Sequence, residues 1–512
     1  TACPIIWRQR LFPDTKLVFI GFATIAWYSL RASISPVAEF ATSDLLLLGS
    51  AASSFILTRV AFLNSRATSL LIWTLALLLI ASIGIMARQW ACPQFTPIFP
   101  NRPTEYPSGF FGHYNDCANF LIGSSFVLGG FSLFGRYSIG VRIAWALVSV
   151  SGLIAVYFTH SRGGILATVV GLAVFAAMIL IIGQRTQTRW FAPIMLCLPV
   201  IGIVAGWFLW AGWQSAQEIR DSQVGVSNVL DNSVRLYLLG VAISCTNLHP
   251  LAGGGSRSFS WESYHLWDVE AYGHLAARTD MVHNELIQSV TDYGLIGGGL
   301  LLLLIGTIGV TALYRTLLLN RSEGDSNFIK VSSGGVASIC GMLVQSMFSF
   351  VFHLLPGTVL LGISMGIASP PASSLANDDG NRHFLNRIIT SAILLIITIS
   401  LLYWGIKGSK TVNLLWPVYF GNRAGMSEFE RLRRLSNAVE TWPQATLYSD
   451  LAMIRHKAYS AGQEQSQFSI AEQAISDYRS ALALNPYDTT TSLRLAHLLA
   501  LVGKDTEALS QY

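Results

Sequence analysis

Long apolar runs, each long enough to cross a lipid bilayer as a helix, recur along most of this 512-residue chain. A membrane-spanning helix needs about 20 mainly apolar residues. Eleven stretches qualify: 16–34, 44–63, 68–87, 116–135, 139–159, 163–183, 190–213, 286–314, 331–351, 354–369 and 385–407. We therefore predict an all-α fold, a polytopic membrane helix bundle with eleven or twelve spans. The tenth run is short and has Pro356 and Gly357 at its start, so we expect it to be tilted or partly re-entrant.

The composition supports this class and divides the chain. Hydrophobic residues make up 52% of the sequence and charged residues 12%, which excludes an ordinary soluble enzyme, a disordered chain and a nucleic-acid-binding protein. About one residue in ten is charged up to residue 407 and about one in five after it. We therefore predict a transmembrane domain at 1–407, a linker at 408–423 and a soluble helical domain at 424–512. The six cysteines show no CxxC spacing, so we expect neither a metal site nor a disulfide framework.

Basic residues in the short loops predict the orientation, because cytoplasmic loops of membrane proteins are rich in Lys and Arg. With a cytoplasmic N-terminus, fourteen basic residues lie on the inner side and four in the short outer loops. The long outer loop then covers residues 214–285, and eleven spans put the C-terminal domain outside. In a Gram-negative cell this describes a multi-pass inner-membrane protein with a periplasmic C-terminal domain.

The same orientation gathers the histidines on the outer side. His113, His160, His249, His265, His274, His283 and His353 lie in outer segments, His456 and His497 lie in the C-terminal domain, and His383 alone is inside. Histidine exchanges protons near neutral pH, which favours acid–base chemistry at the outer face. The alternative is that histidine merely avoids the bilayer, which accounts for the position of these residues in loops but not for their concentration on the outer side.

The C-terminal domain carries a helical repeat. Ala474 and Ala508 are 34 residues apart, as are Tyr478 and Tyr512. With Pro486, this spacing is typical of tetratricopeptide repeats, which stack into a concave surface for a partner protein or for packing on another domain. A generic helical hairpin is the alternative.

Two outer arginines are candidates for binding an anion. Arg162 lies at the junction of the fifth and sixth spans, where Ser161 can cap the next helix. An arginine at a membrane boundary either pairs, meets a ligand or extends its guanidinium to the interface. Arg235 follows Asn232 and Ser233, which we expect to start a helix, so that Arg235 would lie in its first turn beside N–H groups suited to phosphate.

His283 is a candidate general base where the outer loop enters the eighth span. Asn284 follows it and can orient the histidine or the substrate. Position 287 is isoleucine, so the HExxH pattern of zinc proteases is absent. The alternative role for His283 is structural hydrogen bonding at the start of a helix.

Together these segments resemble the O-antigen ligase and O-antigen polymerase (WaaL/Wzy-type) superfamily. The resemblance covers about residues 105–300. It includes Phe111–Asp116, the Ser161–Gly164 turn, Arg235 followed by Pro250–Gly253, and His283–Asn284 followed by Tyr293–Gly297. A tetratricopeptide-like tail also occurs in members of this superfamily.

The resemblance implies a metal-independent glycosyltransferase without a cofactor. Such enzymes move a glycan from an undecaprenyl-diphosphate carrier to a hydroxyl acceptor at the periplasmic face. The functional arginines and histidine of the family carry over to Arg162, Arg235 and His283. Arginine can stabilise the charge of the diphosphate leaving group without a metal, and histidine can take the proton of the acceptor hydroxyl.

Further side chains are expected at the substrate. Asn284, Asn115, His113 and Ser161 belong to the motifs that carry the resemblance. Trp261 and Tyr264 in the outer loop can stack on sugar rings or form the core of a lid. The head of the fourth span reads His113-Tyr114-Asn115-Asp116, where the family pattern leads us to expect Asn-His or similar after the glycine.

Two other functions compete with glycan transfer. A non-catalytic scaffold for envelope polysaccharide assembly would recruit partners through the C-terminal domain. A transporter is disfavoured, because transporters tend to have internal repeats and ionisable groups at the middle of the membrane. Among transferases, the acceptor could be a lipid, a growing glycan or a protein.

Overall fold

The computed structural model describes residues 15–62, 64–93, 95, 106–186, 227–267, 280–318, 326–369, 380–419, 426–462 and 467–511. All regular structure in these ranges is helical. The first part contains α1 (Thr15–Ser33), α2 (Ala38–Ala61), α3 (Ser65–Ala91), α4 (Tyr114–Phe134), α5 (Ile139–Phe158), α6 (Arg162–Thr186), α7 (Ser227–Leu248) and α8 (Phe259–Glu262). It continues with α9 (Glu285–Leu317), α10 (Ser326–Ser346), α11 (Leu355–Ala368) and α12 (Gly380–Tyr419). The C-terminal part contains α13 (Glu428–Thr441), α14 (Ala445–Ser460), α15 (Gln467–Leu484), α16 (Thr489–Leu501) and α17 (Asp505–Gln511).

The prediction of an all-α, polytopic membrane bundle is confirmed. Within the described ranges, seven helices are long and apolar enough to cross a membrane, namely α2, α3, α4, α5, α6, α9 and α10. The predicted first span coincides with α1, and the predicted eleventh lies within α12. The predicted tenth span is α11, which has only 14 residues. The run 190–213 lies outside the described residues.

Helix α4 is the centre of the bundle. Of its most apolar 18-residue window, 89% is buried, against 28% for α5 and α6. Small residues allow this close packing: a Cβ on Gly130 would lie 3.0 Å from the Cα of Gly334 in α10. Small residues at such contacts let two membrane helices approach backbone to backbone. The surrounding helices turn apolar side chains such as Leu77 and Leu147 outward, as lipid contact requires.

Helix α9 is broken near its start, at Gly294, whose φ of 74° no helix accommodates. The segment 250–255 fills this break. Leu295 donates its N–H to the Pro250 carbonyl at 2.9 Å, and Gly255 donates to the Asp292 carbonyl at 2.9 Å. Arg31 of α1 fixes the segment from the other side by donating to the carbonyls of Ala252 (2.8 Å) and Gly253 (2.6 Å). The glycine run therefore completes the backbone hydrogen bonds of a broken membrane helix.

The C-terminal helices form two small cores. One contains Ala474, Tyr478, Leu495 and Ala508, all buried at the helix contacts. The other joins Leu435, Ala438 and Leu451 to Val418 at the end of α12. Residues 408–419, which lie in the predicted linker 408–423, form the end of α12 and pack on the C-terminal helices. The domain boundaries themselves stay a prediction. Ala474, Tyr478 and Ala508 of the predicted repeat are thus core residues, whereas Pro486 is exposed and Tyr512 lies outside the described residues. The tetratricopeptide assignment itself stays a prediction.

Candidate functional site

The candidate residues lie at one end of the bundle, which we call the site end. Here α4, α6 and α9 begin and α3, α5 and α10 end. Among the described residues, left-handed backbone at a non-glycine residue occurs at His160, Arg257 and His283, all of them at this end. Such conformations cost on the order of 1–3 kcal/mol each and cluster at functional sites. His160 lies two residues before Arg162, and His283 is itself a candidate.

Ser161 shapes the turn that carries Arg162. Its Oγ accepts the N–H of Gly164 at 3.0 Å, so that Ser161 caps α6 as predicted. The same hydroxyl donates to Oδ1 of Asn115 at 2.6 Å. The first turn of α6, with Arg162, is thereby tied to the first turn of α4. Ser161 and Asn115 are both buried, so each of them fixes the position of backbone near the site.

Gln345, at the end of α10, joins the same network and was missed by sequence reasoning. Its Nε2 donates to the Asn115 carbonyl at 3.2 Å and to Ser161 Oγ at 3.3 Å. The sequence signal for Gln345 is weak, because a polar residue in the last turn of a membrane helix is also expected where the helix simply meets the membrane–water interface.

The turn between α10 and α11, residues 347–354, links Arg162 to His283, and we call it the clamp turn. A Cβ on Gly163, the neighbour of Arg162, would lie 2.9 Å from Cβ of Phe348. The ring of Phe350 meets the ring of His283 edge-on, with centroids 5.2 Å apart. The clamp turn therefore packs closely on Gly163, the neighbour of Arg162, and contacts the ring of His283.

A largely buried ion pair joins the clamp turn to the start of α9, and the sequence pattern did not predict it. Nδ1 of His353 lies 2.8 Å from Oε2 of Glu285, and Oε1 of Glu285 accepts the N–H of Phe352 at 2.6 Å. Burial lowers the pKa of His353, but the carboxylate of Glu285 more than offsets this and raises it to about 9. The sequence signal for this pair is that Glu285 lies two residues after the candidate base His283, and that His353 lies in another outer turn.

His283 is held from both sides along the chain. The N–H of Val282 donates to Oε1 of Gln288 at 2.8 Å, and Gln288 in turn donates to Oδ2 of Asp292 at 2.8 Å. Oδ1 of Asn284 accepts the N–H of Ile287 at 3.1 Å, so Asn284 caps α9. The imidazole position is therefore determined by α9 and the clamp turn together.

His113 caps α4 and lies within the field of Arg235. Its Nδ1 accepts the N–H of Asn115 at 3.2 Å, which leaves Nε2 as the protonated nitrogen of the neutral ring. Burial lowers the pKa of His113, and the positive charge of Arg235 lowers it further. The effect of Arg235 on the pKa of His113 indicates that Arg235 of α7 lies near the head of α4.

Arg235 lies farther into its helix than the sequence pattern predicts. We expected a start at Asn232 or Ser233, but α7 begins at Ser227, so Arg235 lies in its third turn and not beside free N–H groups. The segment contains two possible starts, because Ser and Asn also occur at 227 and 228, and the helix uses the earlier one. An anion bound at Arg235 would therefore meet the charge of its guanidinium and not the N–H groups at the end of the helix.

A small hydrophobic core connects Arg235 with His283. Leu238, Val241 and Ala242 of α7 pack with Phe259 of α8 and with Val282, the residue before His283. Ile287 of α9 and Trp267 lie at the edge of this core. Arg162, Arg235 and His283, which are far apart in sequence, are thus brought to the site end by two sets of contacts, the clamp turn and this core.

Aromatic rings form a row at the site end. The ring of His113 stacks on Tyr114 with centroids 4.2 Å apart, and Tyr114 meets Tyr106 at 5.2 Å. Tyr106 contacts His160 at 4.8 Å, and His160 stacks on the exposed Trp90 at 6.3 Å. This aromatic row runs from the end of α3 to the neighbourhood of Arg235.

Three buried acceptor oxygens near the head of α4 have no hydrogen-bond partner among the described residues: Oδ1 of Asp116, Oδ1 of Asn119 and Oε1 of Gln345. Buried acceptors usually find a donor in protein, water or a ligand. Hydroxyl groups would suit them. Nowhere in the described ranges do three or more His, Cys, Asp or Glu side chains come together as metal ligands.

Trp261 and Tyr264 face the C-terminal domain. Trp261 is buried, and its ring stacks on Tyr487 at 5.3 Å and on Phe40 at 6.1 Å. The hydroxyl of Tyr264 accepts a hydrogen bond from Thr489 at 3.0 Å. Both side chains are engaged in a contact between domains, and a role in sugar stacking stays a prediction for them.

The family model described as O-antigen ligase matches residues 147–302. The matched segment contains Arg162, Arg235 and His283, and extends from α5 into α9. Over this segment the chain is similar to the O-antigen ligase family, which confirms the resemblance that its motifs led us to expect. A search of curated proteins found no match.

Proposed function

We propose that this protein transfers a glycan from an undecaprenyl-diphosphate carrier to a hydroxyl acceptor at the periplasmic face of the bacterial inner membrane. The observation that carries the proposal is the clamp turn, because it contacts Gly163 beside Arg162 and the ring of His283. The O-antigen ligase match over residues 147–302 supports the same class of reaction.

In the proposed reaction the acceptor oxygen attacks the anomeric carbon of the first sugar. The bond from that carbon to the phosphate oxygen breaks, and the proton of the acceptor passes to the imidazole of His283. The diphosphate leaves on its lipid with an added negative charge. Arg162 and Arg235 stabilise that charge through bidentate hydrogen bonds, which strengthen as the charge develops.

The aromatic row supports a place for the glycan. Its rings are His113, Tyr114, Tyr106, His160 and Trp90, and the first of these lies close to Arg235. We propose that sugars beyond the reacting one lie along this row, since Trp261 and Tyr264 already face the C-terminal domain. Y106A and Y114A should then raise the KM for long lipid-linked glycans more than for short ones, while W73A on the apolar side of α3 should not.

The catalytic proposal is tested with purified protein in liposomes that contain a lipid-linked glycan. R162A, R235A and H283A should each lower transfer at least 100-fold, in line with the loss of one charge-stabilising or proton-accepting group. R162K and R235K should also be impaired, because lysine lacks the bidentate fork. R136A, at the opposite end of the bundle, is the matched control.

Near-normal transfer by all three alanine variants would overturn the proposal. Lipid, glycan and protein acceptors are offered separately in the same assay. A product that grows by repeated addition identifies a polymerase, and a single transfer identifies a ligase.

A further inference from the structure

The C-terminal domain contacts the membrane domain at the site end. Three contacts join them. The ring of Trp261 lies between Phe40 of α2 and Tyr487. Thr489, the first residue of α16, donates to the hydroxyl of Tyr264. At the third contact, Oε2 of Glu39 accepts the N–H of Ala445 at 2.9 Å. Ala445 is the first residue of α14, so a carboxylate of the membrane domain caps a helix of the C-terminal domain.

Two of these contacts, those of Trp261 and Tyr264, are made by the segment that supports Arg235. Trp261 and Tyr264 lie between residues 256 and 267, and the same segment contributes Phe259 to the core shared by α7 and Val282. Tyr237, two residues after Arg235, meets Trp267 edge-on at 5.3 Å and donates to the Leu266 carbonyl at 3.3 Å. A continuous set of contacts therefore leads from Tyr487 to the helix of Arg235 and to the neighbour of His283.

We propose that the C-terminal domain is a buttress of the transfer site: through Trp261 and Tyr264 it fixes residues 256–267 and thereby holds Arg235 and His283 in position. Trp261, Tyr264 and Tyr487 are then positioning residues, which act on the reaction without touching substrate. The inference rests on the proposed function for its effect on transfer, but the contact itself is independent of that function. Packing of this kind sets geometry, and a displacement of about 1 Å at a site can cost a rate factor of about 100.

The alternative role for this domain is recruitment of another protein. The two roles differ in a reconstituted system without other proteins. A buttress is needed there, whereas a recruiting domain is dispensable.

The test compares Y487A, W261A and the double variant in the full-length protein. L509A, which removes an exposed apolar side chain from the same domain, is the matched control. Hydrogen exchange reports on residues 235–267 without substrate, and transfer from a lipid-linked glycan is measured in liposomes. We expect Y487A to accelerate exchange in this region and to lower transfer about tenfold through kcat, with the KM of the donor changed less. The double variant should be no worse than the worse single variant, because both remove one contact. Y487F should restore both readouts.

Unchanged exchange in Y487A would overturn the buttress, as would accelerated exchange with normal transfer. If the wild-type protein itself transfers no glycan, the proposed function fails. The exchange data then still decide whether the C-terminal domain holds the segment of Arg235.

Discussion

At the site end, single polar residues serve as connections between helices. Ser161, Asn115 and Gln345 tie the heads of α4 and α6 to the end of α10. His113 and Asn284 cap helices with side-chain atoms that the sequence also suggested for substrate. A capping atom cannot at the same time serve a ligand fully, so the remaining atoms of these side chains, the ring Nε2 and the amide Nδ2, are the ones open to a second role.

Capping by Asn284 can be separated from substrate binding. N284A should lower the free energy of unfolding by about 1 kcal/mol through loss of the cap, while N284S should retain nearly all of it. Thermal unfolding in detergent measures this. Equal stability of the two variants would contradict the capping role. Loss of transfer in N284S despite normal stability would assign the amide to the substrate.

The His353–Glu285 pair should make stability depend on pH. The pKa of His353 is raised from 6.5 to about 9. The protonated ring is thus favoured in the folded state, and the stabilisation is complete below about pH 6.5 and is lost as the pH rises through 9. We expect the unfolding temperature to fall between pH 7 and pH 10.

E285Q removes the charge that raises this pKa. Its unfolding temperature should be lower at neutral pH and should change less over the same interval. A wild-type profile that is flat from pH 7 to pH 10 would contradict the assignment of the pair.

Helices were easier to predict than their ends and contacts. Most spans were predictable because a bilayer demands about 20 apolar residues whatever the neighbours are. The start of α7 was not, because Ser227 and Asn228 favour a helix start as well as Asn232 and Ser233 do. Arg162, Arg235 and His283 could be proposed as site residues because they are polar residues at apolar boundaries, and their roles stay predictions. The contacts of Gln345 and His353 could not be predicted, because they depend on which helices pack together. A local sequence pattern does not contain that information.

The break in α9 makes a prediction with an internal control. A Cβ on Gly294 would lie 2.1 Å from the Leu251 carbonyl oxygen, and the φ of 74° disfavours any side chain. G294A should therefore lower the unfolding temperature strongly or prevent folding. In G299A, on the same helix, the added Cβ meets no atom within 4 Å. That variant should be neutral or more stable by up to about 1 kcal/mol.

Size-exclusion profiles after heating measure both glycine variants in detergent extracts. An equal loss of folded protein in G294A and G299A would show that the packing of segment 250–255 does not depend on the helix break at Gly294.

The whole molecule places its C-terminal domain and its candidate site at the same end of the bundle. The hydrogen bond from Thr489 to Tyr264 and the cap of α14 by Glu39 fix this relation. The distribution of Lys and Arg predicts which end this is, because basic loops remain in the cytoplasm. We expect the site end in the periplasm.

Labelling in intact cells tests this orientation. Asp505→Cys, in the C-terminal domain, should react with a membrane-impermeant maleimide from the periplasm. Arg136→Cys, at the opposite end, should react only after the membrane is opened, with the native cysteines as background. The reverse pattern would invert the proposed orientation and move the proposed chemistry to the cytoplasmic side.

The clamp turn also has a consequence for biosynthesis. The ribosome completes Arg162, Arg235 and His283 before it reaches residues 347–354, and Tyr487 follows still later. Domains fold largely in the order in which they are synthesised. A nascent chain that already carries all three groups thus lacks the parts that we propose align them. The proposed transfer would therefore begin only when synthesis and membrane insertion of the chain are nearly complete.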